Sequence, residues 1–180
     1  MTDPPQEAPI DRDSRTTSFG LVRYAEDYRR GAVVVWDAER PRLTMVPYML
    51  IAHSIELSLK AFLRSRGATL KALKNQWGHT LPELLEHALS QRLDRLVPGA
   101  STATQYVQWL HEANDEQSLR YIRTGWTRLP DWEVVSGFAA ALTGGLHDHC
   151  LRRTIGREGA KEAIRNRGSG FNLPPLPEET

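Results

Sequence analysis

Apolar residues recur at intervals of three and four from about residue 18 to residue 151, and no segment sustains the period-two alternation of a strand. The pattern predicts a first helix from Ser18, its N-cap, to about Trp36, with Leu21, Tyr24, Tyr28 and Ala32 on one stripe. Its end, AVVVW, would pass for a strand in isolation. A second helix spans about Val46 to Arg66, with Pro47 in its first turn and Gly67 just past its end. The connector ATLKALKNQWG has room for one or two helical turns. Thr80 opens a third helix with the capping box T-L-P-E, and this helix should end near Pro98 and Gly99. Ser101 or Thr102 caps a fourth carrying Tyr106, Leu110 and Ala113, and Asp131 caps a fifth with Val135, Phe138, Leu142 and Leu146 on one face. Short links between such segments predict an all-α fold, an up-and-down bundle of four to five antiparallel helices.

The second helix is unlike the others. At roughly 100° per residue, Tyr48, Ala52, Ile55, Leu59 and Phe62 form one apolar stripe, widened by Ile51 and Leu63. Leu50, Leu57 and Ala61 form a second strip nearly opposite. His53, Glu56, Lys60 and Arg64 share a polar arc of about 80° between the two. A helix apolar on two sides is central in its bundle or also part of a subunit interface, so a homodimer through this helix is one expectation. Glu56 and Lys60 stand in the favourable i, i+4 order, worth only ~0.2 to 0.5 kcal/mol on an exposed helix.

Residues 1–15 and 161–180 are rich in Pro, Gly and charge and read as a disordered N-terminal tail and a mobile C-terminal tail around a bundle domain at 16–160. The 180 residues suffice for one domain, and 40% hydrophobic with 25% charged is an ordinary globular balance. The net charge of +1 argues against strong non-specific attraction to nucleic acid, although a local basic patch can hide beneath a balanced total. Cys150 is the single cysteine, which excludes an internal disulfide and a finger-type thiolate zinc site and fits a reducing cytoplasm. The start has neither a basic n-region nor an apolar h-region, and no run approaches the ~18 apolar residues of a spanning helix, so no membrane association is expected.

Candidate chemistry is sparse. No Glu-x-x-His pair occurs, the spacing that would point two ligands into a bundle core. HDHC puts His147 and Cys150 on one face, half of a transition-metal site without further ligands, while His149 continues the stripe of Leu142 and Leu146 and reads as a packed, hydrogen-bonded histidine. No metal or other cofactor is predicted. No Gly-x-Ser-x-Gly elbow or Walker loop is present, and Gly144 with Gly145 marks a kink or close backbone packing. In SLRYIRTGWTRLP, Arg120, Arg123 and Arg128 interleave with Tyr121 and Trp126, a mixture that contacts phosphates and stacks on bases, or else fills the bundle end with its arginines in water. The candidate ligand-binding residues are therefore His53, Lys60, Arg64, Arg120, Tyr121 and Arg123.

IAHSIELSLKAFLRSRG, the short connector, WGHTLPELLEHA and then SLRYIRTG resemble, in that order, the HEPN superfamily, small helical bundles of toxin and antitoxin pairs, phage-defence proteins and nucleotidyltransferase partners. The resemblance spans about Phe19 to Arg153. It implies a bundle of four or five antiparallel helices, commonly a homodimer, working on or near RNA or nucleotides. Ribonucleolytic members carry an Arg-x(4 to 6)-His motif, in which arginine stabilises phosphate charge and histidine does acid or base work. Here no arginine stands five to seven residues before any of the six histidines, so that motif does not carry over. His79 matches the histidine of the family's GH-x-L and, at a helix start, suggests local capping.

The sequence thus favours a non-catalytic HEPN-like module, without enzymatic activity, that binds RNA, a nucleotide or a protein partner such as a nucleotidyltransferase-like neighbour. Its alternatives are a metal-independent ribonuclease with rearranged groups, for example His53 with Arg120 or Arg123, and a purely structural dimer.

Overall fold

The computed structural model describes residues 15–39, 45–115 and 129–165. These are helical throughout, with no strand among the described residues. Six α-helices occur in order: α1 (Ser18–Glu39), α2 (Val46–Ser65), α3 (Leu70–Asn75), α4 (Leu81–Ser90), α5 (Thr104–Asp115) and α6 (Trp132–Arg165), with 3-10 turns at Leu93–Arg95 and Ala100–Ala103 between α4 and α5. The all-α expectation holds, and AVVVW lies within α1. Residues 1–14, 166–180 and the basic segment 116–128 lie outside the described residues. α6 breaks at Gly156, where φ is 77° and ψ 174°, and its second helical part runs on to Arg165, inside the segment read as the C-terminal tail.

α2 is the centre. It packs against α1 and α6 most extensively and also touches α3, α4 and α5. Ile51, Ile55, Leu59, Phe62 and Leu63 are almost wholly buried, each contributing about 1.5 to 3 kcal/mol through apolar area removed from water. Ala61 of the opposite strip is also fully buried, and Leu50 and Leu57 are half-buried. The chain itself covers both apolar sides of α2, so they carry no argument for a second copy. By length and composition α2 could cross a membrane, yet 67% of its apolar window is buried inside the bundle. Its end follows the predicted chemistry: Gly67 has φ 104°, and the Ala68 amide donates back to the Leu63 carbonyl at 3.1 Å.

α1 follows the predicted stripe only in part. Val22, Ala25 and Ala32 are fully buried, whereas Tyr24 is 64% and Tyr28 37% exposed. Small residues on the inner face let α1 approach α2, and the tyrosines are left at the rim. Thr17 rather than Ser18 caps the helix, since its Oγ1 accepts from the Gly20 amide at 3.0 Å. The Ser18 hydroxyl instead faces α6, 3.4 Å from Thr154 Oγ1. At the other end of the bundle Trp36 stacks on Trp132 at 4.4 Å, and the Tyr48 hydroxyl donates to the Pro130 carbonyl at 3.1 Å.

α4 stops at Ser90, short of the predicted Pro98, because burial of Leu93 and Val97 draws the chain into the core through Arg92, which adopts φ 68°. Thr80 precedes α4, but its side chain makes no capping bond, so the capping box does not form. Asp131 does cap α6, its Oδ1 accepting from the Glu133 amide at 2.9 Å. Val135, Phe138, Leu142 and Leu146 are buried as expected. Of the paired glycines, Gly145 makes the close contact: a Cβ there would stand 2.6 Å from the Leu96 carbonyl oxygen, while one at Gly144 would meet open space.

Candidate functional site: two halves of the polar edge of α2

The polar residues of α2 divide into two sites, about two turns apart, because different elements pack beside them. Around the helix centre, α1 contributes Tyr28 and the turn before α4 contributes His79. Glu56 is buried here, 5% exposed, rather than on an open edge. Its Oε1 accepts from Lys60 Nζ at 2.7 Å and lies 2.9 Å from His79 Nδ1; His53 Nδ1 stands 3.8 Å from Oε2, too far for a hydrogen bond. Burial pushes this carboxyl up, but His53, Lys60 and His79 around it outweigh burial and hold it at about 2. Glu56 and Lys60 are therefore not the exposed pair the spacing implied: their side chains are only 7% and 14% exposed. His53 is held by Tyr28, ring against ring at 4.4 Å. His79 serves this cluster across 23 residues of sequence rather than capping α4.

About two turns beyond Glu56, Arg64 faces a different neighbourhood. Its Nε donates to the Thr16 carbonyl at 3.2 Å and its Nη1 to the Ala68 carbonyl at 2.9 Å. Arg153 of α6 reaches over the end of α2, with Nε donating to the Ser65 carbonyl at 3.0 Å. Together with Arg66, Thr17 and Thr154 they line a groove of about 370 Å³ between the start of α1, the end of α2 and α6. No carboxylate lines it among the described residues. His149 sits behind the groove, its Nε2 3.0 Å from Ser65 Oγ and its ring over Phe62. Burial, and then Arg153, Arg66 and Arg152, lower its pKa, so it is neutral.

The structure thus brings His53 and Lys60 together around Glu56 and places Arg64 in the second site, while Arg120, Tyr121 and Arg123 lie outside the described residues. Sequence reasoning missed His79, Arg66, Arg153 and Thr154. A signal for the last three existed: residues 15–25, 57–82 and 149–157, which supply the groove, contain no Asp or Glu.

The HDHC motif does not converge. Cys150 is fully buried, its thiol raised to about 11 by burial that Ser18 only partly offsets. His147 instead lines a groove of about 550 Å³ between α1 and α6, beside Glu26, Arg29 and Arg30. In that groove Glu26 accepts from Arg29 and Arg30, each at 2.8 Å. No group of three His, Cys, Asp or Glu residues has metal-holding geometry among the described residues.

Fold and site together define the class: an all-α helical bundle with a charge-compensated centre and a basic groove at one end. No family model, curated protein or solved structure matches the chain. The resemblance to HEPN bundles rests on the sequence motifs alone.

Proposed function

We propose that this protein is a HEPN-like helical module that binds the phosphate groups of RNA or a nucleotide without cleaving them. The observation that carries this reading is the segregation of charge. Three carboxylate-free stretches of chain supply the groove that holds Arg64, Arg66 and Arg153, in a protein whose net charge is only +1. Such local excess attracts polyanions where the global charge does not. Non-catalytic action is supported by the histidines: His149 gives its Nε2 to Ser65, and His79 gives its Nδ1 to Glu56. None of these rings lines the basic groove. A homodimer, or pairing with a nucleotidyltransferase-like protein, belongs to the same reading through the family resemblance.

The test is fluorescence polarisation of the full chain with labelled single-stranded RNA across a salt series, run beside a gel assay for cleavage in chelator. The expected result is intact RNA and binding that weakens with salt, with a log-log slope of about −0.7 for each phosphate contacted. Chelator-resistant cleavage that disappears in His149→Ala or His53→Ala would establish the ribonuclease reading instead. Absence of binding at low salt would leave the structural dimer.

A further inference from the structure

We propose that the groove between α1, α2 and α6 is a built site for a terminal phosphate monoester, as on a nucleoside monophosphate or a phosphorylated RNA end. This rests on the phosphate-binding reading above and narrows it to one chemical group. The groove offers donors almost exclusively. Arg64 and Arg153 are each fixed through Nε to a backbone carbonyl, Thr16 and Ser65 respectively, so their guanidinium planes are set before any ligand arrives. The Nη groups of Arg153 make no other hydrogen bond among the described residues, and Arg66 makes no side-chain hydrogen bond or ion pair there.

The Thr17 hydroxyl is oriented in the same sense. Thr17 Oγ1 accepts from the Gly20 amide at 3.0 Å, whereas Thr154 Oγ1 accepts from the Phe19 amide at 3.4 Å and also pairs with Ser18 Oγ at 3.4 Å. A hydroxyl whose lone pair is engaged by an amide keeps its proton to donate elsewhere. The 22-residue helix α1 begins at this wall, so its positive end adds to the arginines. Three guanidiniums and the Thr17 hydroxyl with no lining carboxylate suit a group bearing two negative charges and three terminal oxygens. An internal phosphodiester carries one charge and two such oxygens, and so matches fewer of these donors.

The experiment compares one RNA oligomer with a 5′-phosphate, a 3′-phosphate or hydroxyls at both ends, by fluorescence polarisation against the full chain. Adenosine monophosphate and inorganic phosphate serve as competitors. A phosphorylated end is expected to bind at least about tenfold more tightly than the hydroxyl oligomer, the gain that a charge-assisted bidentate contact supplies. Competition by adenosine monophosphate at the same site would mean that a free nucleotide suffices; its failure would assign the site to RNA ends. Arg66→Ala, an exposed residue whose loss leaves the fold intact, should abolish the phosphate-dependent gain. Equal affinity for all three oligomers would overturn the proposal while leaving general RNA binding standing. No binding of any oligomer or phosphate would sink both.

Discussion

The two halves of one edge of α2 use similar residues and end in opposite electrostatic states. Around Glu56 the Lys60 ammonium and the His79 ring close on a single buried carboxylate, with His53 nearby. Around Arg64, Arg66 and Arg153 the anchoring acceptors are neutral carbonyls, and no carboxylate lines the groove. A backbone carbonyl orients a guanidinium without cancelling its charge, whereas a carboxylate does both. The first half is therefore a structural clamp and the second an open donor surface. A difference of one acidic residue, placed about two turns away, decides which is which.

The comparison breaks most sharply at Glu56. Replacing it with Gln leaves Lys60, 14% exposed, without its counter-charge, and should lower stability by about 2 to 4 kcal/mol. Thermal unfolding followed by circular dichroism should show Tm falling by about 4 to 16 °C for a chain of this size. Arg66→Ala, in contrast, should move stability by no more than about 0.5 kcal/mol. A Glu56→Gln protein that melts with the wild type would mean that the clamp is decoration.

The same clamp sets a pH dependence. The Glu56 carboxyl is at about 2 in the folded protein against an ordinary 4.5, so the unfolded chain takes up the proton first as pH falls. Its stabilisation is complete above pH 4.5 and is lost progressively as pH drops towards 2. In chemical denaturation series, the gap between wild type and Glu56→Gln should be constant from pH 7 to 5 and shrink below that. A gap that widened on acidification would contradict the assignment of the charge.

Local periodicity exposed most of the fold and little of the site. The apolar stripe of α2, the Gly67 end, the Asp131 cap and the buried face of α6 all depend on residues within one or two turns, where spacing determines which side chains meet. In α1 the predicted stripe holds at Ala32, but Val22 and Ala25 take the inner face in place of Tyr24 and Tyr28, since alanine is a weak hydrophobic signal that nonetheless permits close helix contact. The clamp was only half legible. Glu56 and Lys60 are four apart, but His79 reaches Glu56 from another element, and burial of the pair is a tertiary fact. The groove was legible only as an absence of acids in three separate stretches, and nothing in one dimension says that those stretches meet.

A smaller test probes the donor half. Thr17 both caps α1 and lines the groove, so Thr17→Ala should cost about 1 kcal/mol through the lost cap. Thr17→Ser keeps the cap and should restore the melting temperature. The two variants together separate the scaffold role of this hydroxyl from any contribution to binding, because only a bound phosphate would distinguish them beyond their stability difference.

The smallest expected effect sets burial apart from pairing. Glu26, like Glu56, is held at about 2, here by Arg29 against an opposing burial effect and with help from Arg30 and Thr143. Its side chain is 25% exposed and Arg30 is 70% exposed, so water and salt screen the interaction. Glu26→Gln should therefore cost only about 0.5 kcal/mol, and that cost should vanish in roughly 1 M sodium chloride. The loss at Glu56 should largely survive the same salt, since the carboxylate and Lys60 are only 7% and 14% exposed. Two carboxylates with equally lowered pKa but different salt response would show that enclosure, rather than the number of cations nearby, makes the centre of α2 a clamp. Equal salt sensitivity at both positions would mean that the Glu56 cluster opens to solvent on the timescale of unfolding.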